Sequence, residues 1–515
     1  MAAVWLVGAG PGDAGLITVR GRDLLAVCDC VVHDHLVAPA VLALAPAGAE
    51  RHDVGKRGHA ESAKQDDINR LLVDCGRRHR LTVRLKGGDP FLFGRGGEEC
   101  AALAAHGITF GVVPGVTAGT GVPAYAGIPV THRAAASAVV FVTGHQQRPG
   151  PGVVIEPIDW ASFAKIETIV LYMGMHRLRE NCQALIAAGR SPATPAAAIQ
   201  WGTLPEQRTV TGTLADLPEL AAAAGLGAPA ITVIGEVVRW RDQIRWFDDP
   251  AARPLWGRRI VVTRAQAHAG RLAELFAERG AAVITIPLAR FEDALDPGPL
   301  DQALETLVPG TWIAFASVTA VEFTCDRLWR IGRDLRALAG CRLAAVGPTT
   351  AAALARRKLR CDLVAEPATA EALAEALIAA GGLIAAGGQA ALLPRADNGR
   401  EALAQRLIAA GWTVSDPIAY RTIAETVDPG LLAGPAPDAV TLASAATADR
   451  LVASCGPSLL AAWAAAGCRF YAIGPHTAAA IRGHGLPLSG QADEATVGGL
   501  VDAVVADLGA ELRTP

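Results

Sequence analysis

Short apolar runs that end in glycine or a charged residue recur along the first half of the chain. One run covers residues 4–7, two more end at Asp34 and near Asp53, and a fourth covers residues 81–85. The first and fourth runs are followed by stretches with helical spacing of apolar residues. Because parallel strands present their carboxyl ends at one edge of a sheet, the pattern predicts an α/β fold in which these strand ends share one cleft.

Two glycine-rich loops follow the first and fourth runs. The loop GAGPGD, residues 8–13, departs from the dinucleotide-binding fingerprint because Pro11 interrupts it and Asp13 stands at the third glycine position. It also lacks a Walker lysine, so the sequence disfavours both NAD and ATP. In the loop GGDP, residues 87–90, paired glycines let the backbone approach a ligand, and Asp89 places a carboxylate beside exposed amides. Such a loop can bind hydroxyl and amine groups together.

Composition excludes several classes of partner. The chain has 515 residues, of which 51% are hydrophobic and 5% aromatic, a balance that suits layered α/β domains. Its 47 basic and 50 acidic side chains give a net charge of −3, so no overall field attracts nucleic acid or an anionic membrane. We therefore expect small-molecule ligands that are recognised locally.

The cysteines give no sign of a metal site or a disulfide framework. The closest pair among the ten, Cys28 and Cys30, has one residue between its members, which is neither zinc nor thioredoxin spacing. No metal is predicted, and the thiols are expected to be buried and free in a cytoplasmic protein. The first residues lack the basic region of a signal peptide, and glycines interrupt the longest weakly polar run, 377–393, so no membrane span is expected.

Eight motifs in the first half resemble those of uroporphyrinogen-III C-methyltransferase in order and spacing. They are GAGPGD, HDHLV, VGKRGH, RLKGGDPFLFGRGGEE, PGVTAGTGVPAYAGIPVTHR, VTGH, YMGM and WGTLPEQR. The resemblance covers about residues 1–247 and implies a tetrapyrrole-methylase fold with lobes of about 1–115 and 116–247, assembled as a homodimer. It implies transfer of two methyl groups from S-adenosylmethionine to a tetrapyrrole, giving precorrin-2.

The same resemblance assigns roles to individual positions. Asp34 is implied as proton acceptor and Lys56 as proton donor, which suits the chemistry because a ring proton must leave after methylation. Contacts with S-adenosylmethionine are implied at Pro11, Gly87, Gly88, Asp89, Leu92, Thr117, Ala118, Met173 and Gly202. The substrate carries many carboxylates, so cationic side chains are expected in the cleft. The candidates are Arg57, His59, Arg95 and Arg133, and the alternative is that these are ordinary solvated charges.

The second half of the chain repeats itself. Two pairs of matching residues lie 131 apart and two lie 127 apart: Arg264 with Arg395, Gly280 with Gly411, Ser317 with Ser444, and Gly347 with Gly474. Each copy is expected to contain a serine at a strand end and a Gly-Pro-x-Thr turn that opens a helix. Two such α/β lobes predict a hinged cleft, as in periplasmic-type binding proteins, although the lack of a signal peptide argues against export. Residues 248–257 are expected to be a linker.

The repeated motifs resemble uroporphyrinogen-III synthase over about residues 258–511 of a domain expected at 258–515. That family closes hydroxymethylbilane with loss of water, and its discontinuous lobes would be 258–290 plus 420–511, and 291–419. Tyr420 is implied to help the hydroxyl leave, with a half-buried strand tyrosine as the alternative. Carboxylate binding is implied for Thr349, Ser444 and Thr477. The chain departs from the family at Ala316, Thr319 and Ala446, which leaves the activity of this half open.

The sequence as a whole predicts a bifunctional enzyme of tetrapyrrole biosynthesis that uses S-adenosylmethionine. Two alternatives remain open. The second half could be a non-catalytic tetrapyrrole-binding or regulatory module attached to a working methyltransferase. Alternatively, the first half could methylate a later corrin intermediate, since related methyltransferases share the GAGPGD and GGDP loops.

Overall fold

A computed structural model describes residues 3–55, 65–144, 158–263, 266–381, 389–399, 401–427, 432 and 434–511. Three of the predicted site residues, Lys56, Arg57 and His59, lie outside this part of the chain. Contacts divide the chain into two compact units, each described separately below. Unit 1 contains Met1–Ile260, Glu274–Val283 and Val501–Pro515, and unit 2 contains Val261–Ala273 and Ile284–Leu500.

Unit 1 begins with a parallel five-stranded sheet in the order β3-β2-β4-β1-β5. Its strands are β1 (Val4–Gly8), β2 (Cys30–His33), β3 (Glu50–Asp53), β4 (Thr82–Lys86) and β5 (Phe110–Val113). The connecting helices are α1 (Val19–Leu25), α2 (Pro39–Leu42), α3 (Gln65–Arg78) and α4 (Gly96–Ala105). Every residue of the central strand β4 is buried, as expected for a parallel strand covered on both faces.

The second sheet of unit 1 is mixed and has the order β6-β7-β10-β8-β9. Its strands are β6 (Val139–Thr143), β7 (Thr168–Tyr172), β8 (Pro195–Gln200), β9 (Arg208–Thr213) and β10 (Ala230–Ile234). The helices are α5 (Ala118–Tyr125), α6 (Trp160–Phe163), α7 (Leu178–Ala187), α8 (Leu217–Ala223) and α9 (Arg241–Ile244). Strand β7 stops at Tyr172 because Met173 adopts a positive φ of 53°, so the apolar run that continues to Met175 is not one strand.

The repeated half of the chain forms two five-stranded sheets with the same plan. One contains β11 (Arg259–Val262), β12 (Ala282–Thr285), β21 (Ala439–Leu442), β22 (Arg469–Ala472) and β23 (Leu488–Gln491), in the order β12-β11-β21-β22-β23. The other contains β14 (Trp312–Phe315), β15 (Arg342–Ala345), β16 (Leu363–Val364), β17 (Ala390–Leu392) and β19 (Thr413–Ser415), in the order β16-β15-β14-β17-β19. Strands that match by the repeat offsets occupy matching places, which confirms the duplicated α/β fold.

A three-stranded sheet combines one strand that precedes β14, one that lies between β17 and β19, and one that follows β19. It contains β13 (Ala289–Asp293), β20 (Ile418–Ala424) and β18 (Arg395–Ala396), in the order β13-β20-β18.

The described helices of the second half are α10 (Gln266–Glu278), α11 (Gly298–Glu305), α12 (Val318–Arg330), α13 (Pro348–Arg356), α14 (Ala370–Gly381), α15 (Ala402–Ala409), α16 (Ala445–Cys455), α17 (Pro457–Ala465), α18 (Pro475–Gly483) and α19 (Val497–Glu511).

The segment expected as a linker, residues 248–257, packs into unit 1. Asp248 is 8% exposed and accepts a hydrogen bond from Arg241 at 2.6 Å, and Leu255 is fully buried. The Arg253 guanidinium lies 4.4 Å from the ring centre of Phe247. Among the described residues, no helix is long and apolar enough to span a bilayer.

Candidate functional site

Three glycine backbones pack directly against one another at the carboxyl edge of the first sheet. A Cβ atom on Gly8 would lie 2.5 Å from the Cα atom of Gly115, and one on Gly115 would lie 2.2 Å from the carbonyl oxygen of Gly88. Gly10 and Gly88 also exchange backbone hydrogen bonds of 3.2 and 2.8 Å. The loop that carries Pro11 and the loop that carries Asp89 therefore lie side by side.

Asp89 fastens these loops through its carboxylate. Oδ1 accepts hydrogen bonds from the amides of Phe91 (2.8 Å) and Leu92 (3.1 Å), and Oδ2 accepts one from the amide of Gly115 (3.0 Å). Three of about four acceptor sites on the carboxylate are thus used within the protein. Gly87, by contrast, is exposed, and a Cβ atom there would meet only the Cβ atom of Leu36, at 3.9 Å, so its backbone is accessible to a ligand.

Helix α5 begins beside these loops and brings in residues of the second sheet. Thr117 precedes the helix, and its hydroxyl lies 2.5 Å from the hydroxyl of Tyr172, which also accepts a hydrogen bond from the amide of Gly119. Burial raises the pKa of Tyr172, so this hydroxyl stays neutral. Met173 follows with a half-exposed side chain. Thr117 and Ala118 are thus neighbours of Gly88, and Met173 follows the tyrosine that contacts Thr117.

Pro11 and Gly202 both lie against α5. A Cβ atom on Gly121 would lie 3.0 Å from Cγ of Pro11, and one on Gly202 would lie 2.3 Å from the side chain of Val122. The amide of Asp13 donates to the hydroxyl of Thr203 at 3.0 Å. The nine positions predicted to contact S-adenosylmethionine are thus gathered around the two glycine loops and the start of α5.

A buried charge cluster lies behind Asp34, and sequence reasoning missed it. The guanidinium of Arg84 donates to Asp34 Oδ1 at 2.6 Å and to Glu99 Oε1 at 3.0 Å, and the ammonium of Lys86 donates to Glu99 Oε1 at 2.9 Å. Arg84, Lys86 and Glu99 are 2%, 3% and 1% exposed, whereas about a third of the Asp34 side chain is exposed. One end of the cluster therefore reaches the surface at the strand ends.

Burial and neighbouring charges act in opposite directions within this cluster. Burial favours the neutral form of Arg84, but the carboxylates of Asp34 and Glu99 outweigh it and raise the pKa of Arg84. Burial and the charge of Arg84 together lower the pKa of Lys86. The available signal in the sequence was the pair of cations at alternate positions of an otherwise apolar strand, which places both on one face.

Two of the four predicted substrate-binding cations, Arg95 and Arg133, lie in the described part of the chain. Arg95 has a half-exposed side chain that donates to Glu98 at 2.7 and 2.9 Å, and its φ is +58°. Arg133 is exposed. Neither residue belongs to the buried charge cluster, and both remain accessible to an anionic ligand.

In unit 2, Tyr420 is buried next to a helix start. Its hydroxyl lies 3.1 Å from Oγ of Ser317, which caps α12 by accepting from the amide of Ala320. Its ring stacks on Phe323, with centroids 5.4 Å apart. Burial raises the pKa of Tyr420 despite its hydroxyl partners, so it is a neutral donor. This Ser–Tyr pair was not predicted, although each residue was singled out.

The other candidates of unit 2 lie at helix starts. Ser444 is exposed and caps α16 by accepting from the amide of Thr447 at 3.2 Å, as Ser317 does in the other copy. Gly347 and Gly474 precede α13 and α18. The offset of 127 residues pairs Thr477 with Thr350, and both are buried, whereas Thr349 is exposed. Thr349 and Thr477 are thus not equivalent positions in the two copies.

The structure thus combines glycine loops at strand ends in the first half with duplicated helix starts in the second half, and both halves have an α/β fold. Residues 3–218 match the family of Tetrapyrrole (Corrin/Porphyrin) Methylases, and residues 270–502 match Uroporphyrinogen-III synthase HemD. Each half of the chain thus matches one family model.

Named relatives agree with the first match. A siroheme synthase from Chromobacterium violaceum is 51% identical over 246 residues, which is 48% of this chain and 51% of that protein. A siroheme synthase from Pseudomonas putida is 50% identical over 246 residues, with 48% and 52% covered. The chain thus spans about half the length of the curated relatives it matches.

Solved structures are similar to each half. Uroporphyrin-III C-methyl transferase from Thermus thermophilus, complexed with S-adenyl homocysteine, is 39% identical over 46% of this chain and 98% of that chain, with a TM-score of 0.39. Wild-type uroporphyrinogen III synthase from Thermus thermophilus is 20% identical over 50% of this chain and 100% of that chain, with a TM-score of 0.29.

Proposed function

We propose that the first half of this chain transfers two methyl groups from S-adenosylmethionine to uroporphyrinogen III, giving precorrin-2. The observation that carries the proposal is the contact between the two glycine loops, in which Gly10 and Gly88 are hydrogen-bonded and Gly8, Gly88 and Gly115 touch. A site built from backbone at strand ends suits a ligand with amino, carboxylate and hydroxyl groups.

The residues around these loops fit S-adenosylmethionine. Gly87 exposes its backbone, and Met173 exposes an apolar, polarisable side chain. When bound, S-adenosylmethionine supplies an electrophilic methyl group on a sulfonium. The loops hold the two reactants at a fixed distance and orientation, which is the main requirement of a direct transfer.

We assign to Asp34 the role of accepting the proton that leaves the methylated ring. Its carboxylate lies at the end of β2, and Arg84 holds Oδ1 at 2.6 Å from the buried side. One oxygen is therefore fixed by a residue that is itself held by Glu99, so the carboxylate has a defined orientation at the strand ends. Lys56 as proton donor and Arg95 and Arg133 as anchors for substrate carboxylates remain parts of this proposal.

The test is methylation of uroporphyrinogen III by the full chain, followed by product mass. Asp34→Asn should leave S-adenosylmethionine binding intact and lower kcat about 10²- to 10⁴-fold, the usual worth of a general base. Asp23→Asn, at an exposed residue paired with Arg22, is the matched control and should be unaffected. Full activity of Asp34→Asn would remove its assigned role. If the chain methylates only later corrin intermediates, uroporphyrinogen III is not its substrate.

We further propose that the second half closes hydroxymethylbilane into uroporphyrinogen III. Tyr420 and Ser317 place two hydroxyl groups 3.1 Å apart, and helix starts at Ser317, Gly347, Ser444 and Gly474 offer backbone amides to substrate carboxylates. The neutral hydroxyl of Tyr420 can donate to the departing hydroxyl of the substrate. Ring closure needs chiefly a bent substrate, so a strong acid is unnecessary.

Incubating the full chain with hydroxymethylbilane, without S-adenosylmethionine, tests this second activity. Formation of isomer III is expected, and Tyr420→Phe should slow it while keeping the ring packed on Phe323. Ser317→Ala and the double variant complete a cycle that measures the coupling between the two hydroxyls. If only the spontaneous isomer I appears, the second half is instead a non-catalytic tetrapyrrole-binding module. Homodimerisation also stays a prediction, to be measured by sedimentation.

A further inference from the structure

Three potential metal ligands from separate parts of the sequence meet on one face of the first sheet. The sulfur atoms of Cys30 and Cys75 and a ring nitrogen of His52 all lie within 4.8 Å of one another. Cys30 opens β2, His52 lies in the neighbouring strand β3, and Cys75 lies in α3, which covers this face. Because more than twenty positions separate each ligand from the next, no short spacing motif marks the site.

The two sulfur atoms are enclosed by the protein. Both cysteines are fully buried in a core cluster that includes Val32, Leu72 and Cys100. The two sulfur atoms lie within 4.8 Å of each other and of a ring nitrogen of His52, so all three potential ligands converge at one point beneath α3.

Glu50 supplies a carboxylate beside the imidazole. Its Oε1 lies 2.7 Å from Nε2 of His52, and its Oε2 lies 3.0 Å from Nε2 of His79 and 3.3 Å from the guanidinium of Arg78. The two imidazole Nε2 atoms are buried, yet neither has a well-directed hydrogen bond within the described residues. A carboxylate that orients an imidazole is the usual neighbour of a metal-binding histidine.

We propose that Cys30, Cys75 and His52 bind one Zn²⁺ ion, with the Glu50 carboxylate orienting His52. Two sulfur donors and one imidazole suit zinc and exclude magnesium and calcium, which prefer oxygen. The ligand atoms lie close enough for one ion with bonds of about 2.0–2.3 Å to reach all three after a small contraction. Binding is an acid–base reaction without electron transfer, in which the thiol protons are released to solvent.

This site is distinct from the proposed methylation site. Cys30 begins β2 and Asp34 follows its end, so four extended residues, about 13 Å, separate them along the strand. A metal ion would link the edge strand β3 to β2 and α3. Strand β3 has only four residues and pairs with β2 alone within the described sheet, so we expect the ion to stabilise this edge.

Cobalt substitution of the reduced full chain tests the proposal. Co²⁺ should bind in a one-to-one ratio, with the thiolate-to-cobalt charge-transfer absorption of a two-sulfur site and the visible bands of a tetrahedral site, and Zn²⁺ should displace it. Cys30→Ser and Cys75→Ser should each weaken that absorption, and His52→Ala should lower Co²⁺ affinity while retaining thiolate bonding. Glu50→Gln should lower affinity about 10- to 100-fold, as expected for a residue that orients a ligand.

The matched control is Cys28→Ser, two residues before Cys30. Cys28 is also buried, but its sulfur donates to the carbonyl oxygen of Leu25 and packs in the cluster on the opposite face of the sheet. This variant should bind Co²⁺ like the unsubstituted chain. The proposal is overturned if the unsubstituted chain shows no charge-transfer absorption, or if Cys28→Ser removes it as fully as Cys30→Ser. It is equally overturned if mass spectrometry finds Cys30 and Cys75 joined as a disulfide in protein purified under reducing conditions.

Discussion

At Arg84, one guanidinium joins two acidic residues that lie 50 and 15 positions away in the chain. Such a residue is expensive to bury alone, since an isolated charge in the interior costs several kcal/mol. Here the carboxylates of Asp34 and Glu99 compensate it, and only Asp34 is partly exposed. The cluster thus connects the interior of the sheet with the residue proposed to accept a proton.

Arg84→Lys tests this connection, because lysine keeps the charge but loses the planar fork that reaches both carboxylates. We expect kcat for methyl transfer to fall about tenfold, which corresponds to about 1.4 kcal/mol in the barrier, with S-adenosylmethionine binding retained. Steady-state kinetics and calorimetric titration measure the two effects separately. Arg70→Lys, at an exposed residue paired with Asp67, is the control and should change neither. Equal loss of binding and turnover would indicate a purely structural role.

At the scale of secondary structure, the site of unit 1 depends on strand ends that approach without side chains. Gly8 ends β1, and Gly88 and Gly115 belong to the turns after β4 and β5, so one added methyl group at Gly8 would push apart elements that are distant in sequence. Similar close contacts recur where Gly202 meets Val122 on α5. The glycines therefore set the distance between loops as well as the path of each loop.

Gly8→Ala should destabilise unit 1 by about 1–3 kcal/mol through overpacking against backbone atoms, and should weaken S-adenosylmethionine binding. Thermal unfolding and ligand titration measure these effects. Gly97→Ala is the matched control, because Gly97 lies in α4 and a Cβ atom there meets nothing within 4 Å. Alanine favours a helix over glycine, so the control should stabilise the chain slightly. A Gly8→Ala variant as stable as the control would show that the loops can separate without cost.

The Asp301–Arg327 ion pair joins α11 to α12 through two hydrogen bonds of 2.5 Å. The pair lowers the pKa of Asp301 below its ordinary value of 3.8, so its stabilisation is present above that value and is lost as pH falls through the lower folded pKa. Asp301→Asn should cost about 1 kcal/mol or less at neutral pH, since the pair is partly solvated. The difference from the unsubstituted chain should vanish in acid. Unfolding measured across pH checks this, and a difference that persisted in acid would contradict it.

The local sequence was sufficient to predict features that depend only on residues close together in the chain. The glycine loops at 8–13 and 87–90, the strand ends and the duplicated plan of the second half all carry such signals. Features that depend on tertiary pairing were missed. Arg84 and Lys86 pair with Glu99, which lies on the following helix, and Cys30, His52 and Cys75 share no sequence spacing. Periodicity predicts which residues are buried far better than which buried residues meet.

At the scale of the whole molecule, each of the two units is built from segments that are not continuous in the sequence. Unit 1 includes Glu274–Val283 and Val501–Pro515, and the amide of Leu255 donates to the carbonyl oxygen of Arg279 at 2.9 Å. A Cβ atom on Gly509 would lie 3.1 Å from Cβ of Pro254. The segment 248–257 is thus part of a packed structure that includes residues from the second half.

This arrangement predicts how fragments will behave. A fragment of residues 248–515 should be more stable than one of residues 258–515, because only the longer one keeps Leu255, whose burial is worth about 1.5–3 kcal/mol. Chemical denaturation of the two fragments measures the difference. Leu255→Ala in the longer fragment should reproduce most of it. Equal stability would mean that residues 248–257 act only as a connection.

Strand β11, which opens the second half, lies between β12 and β21 and must wait for β21 during synthesis. The hydroxyl of Thr263, just after β11, donates to the carbonyl oxygen of Thr441, which is 178 residues further on. A ribosome that adds about 5–20 residues per second leaves a gap on the order of ten to thirty-five seconds between these two residues. Throughout that interval the edge of β11 that pairs with β21 in the folded protein lacks its partner, so we expect the yield of this half to depend on chaperones.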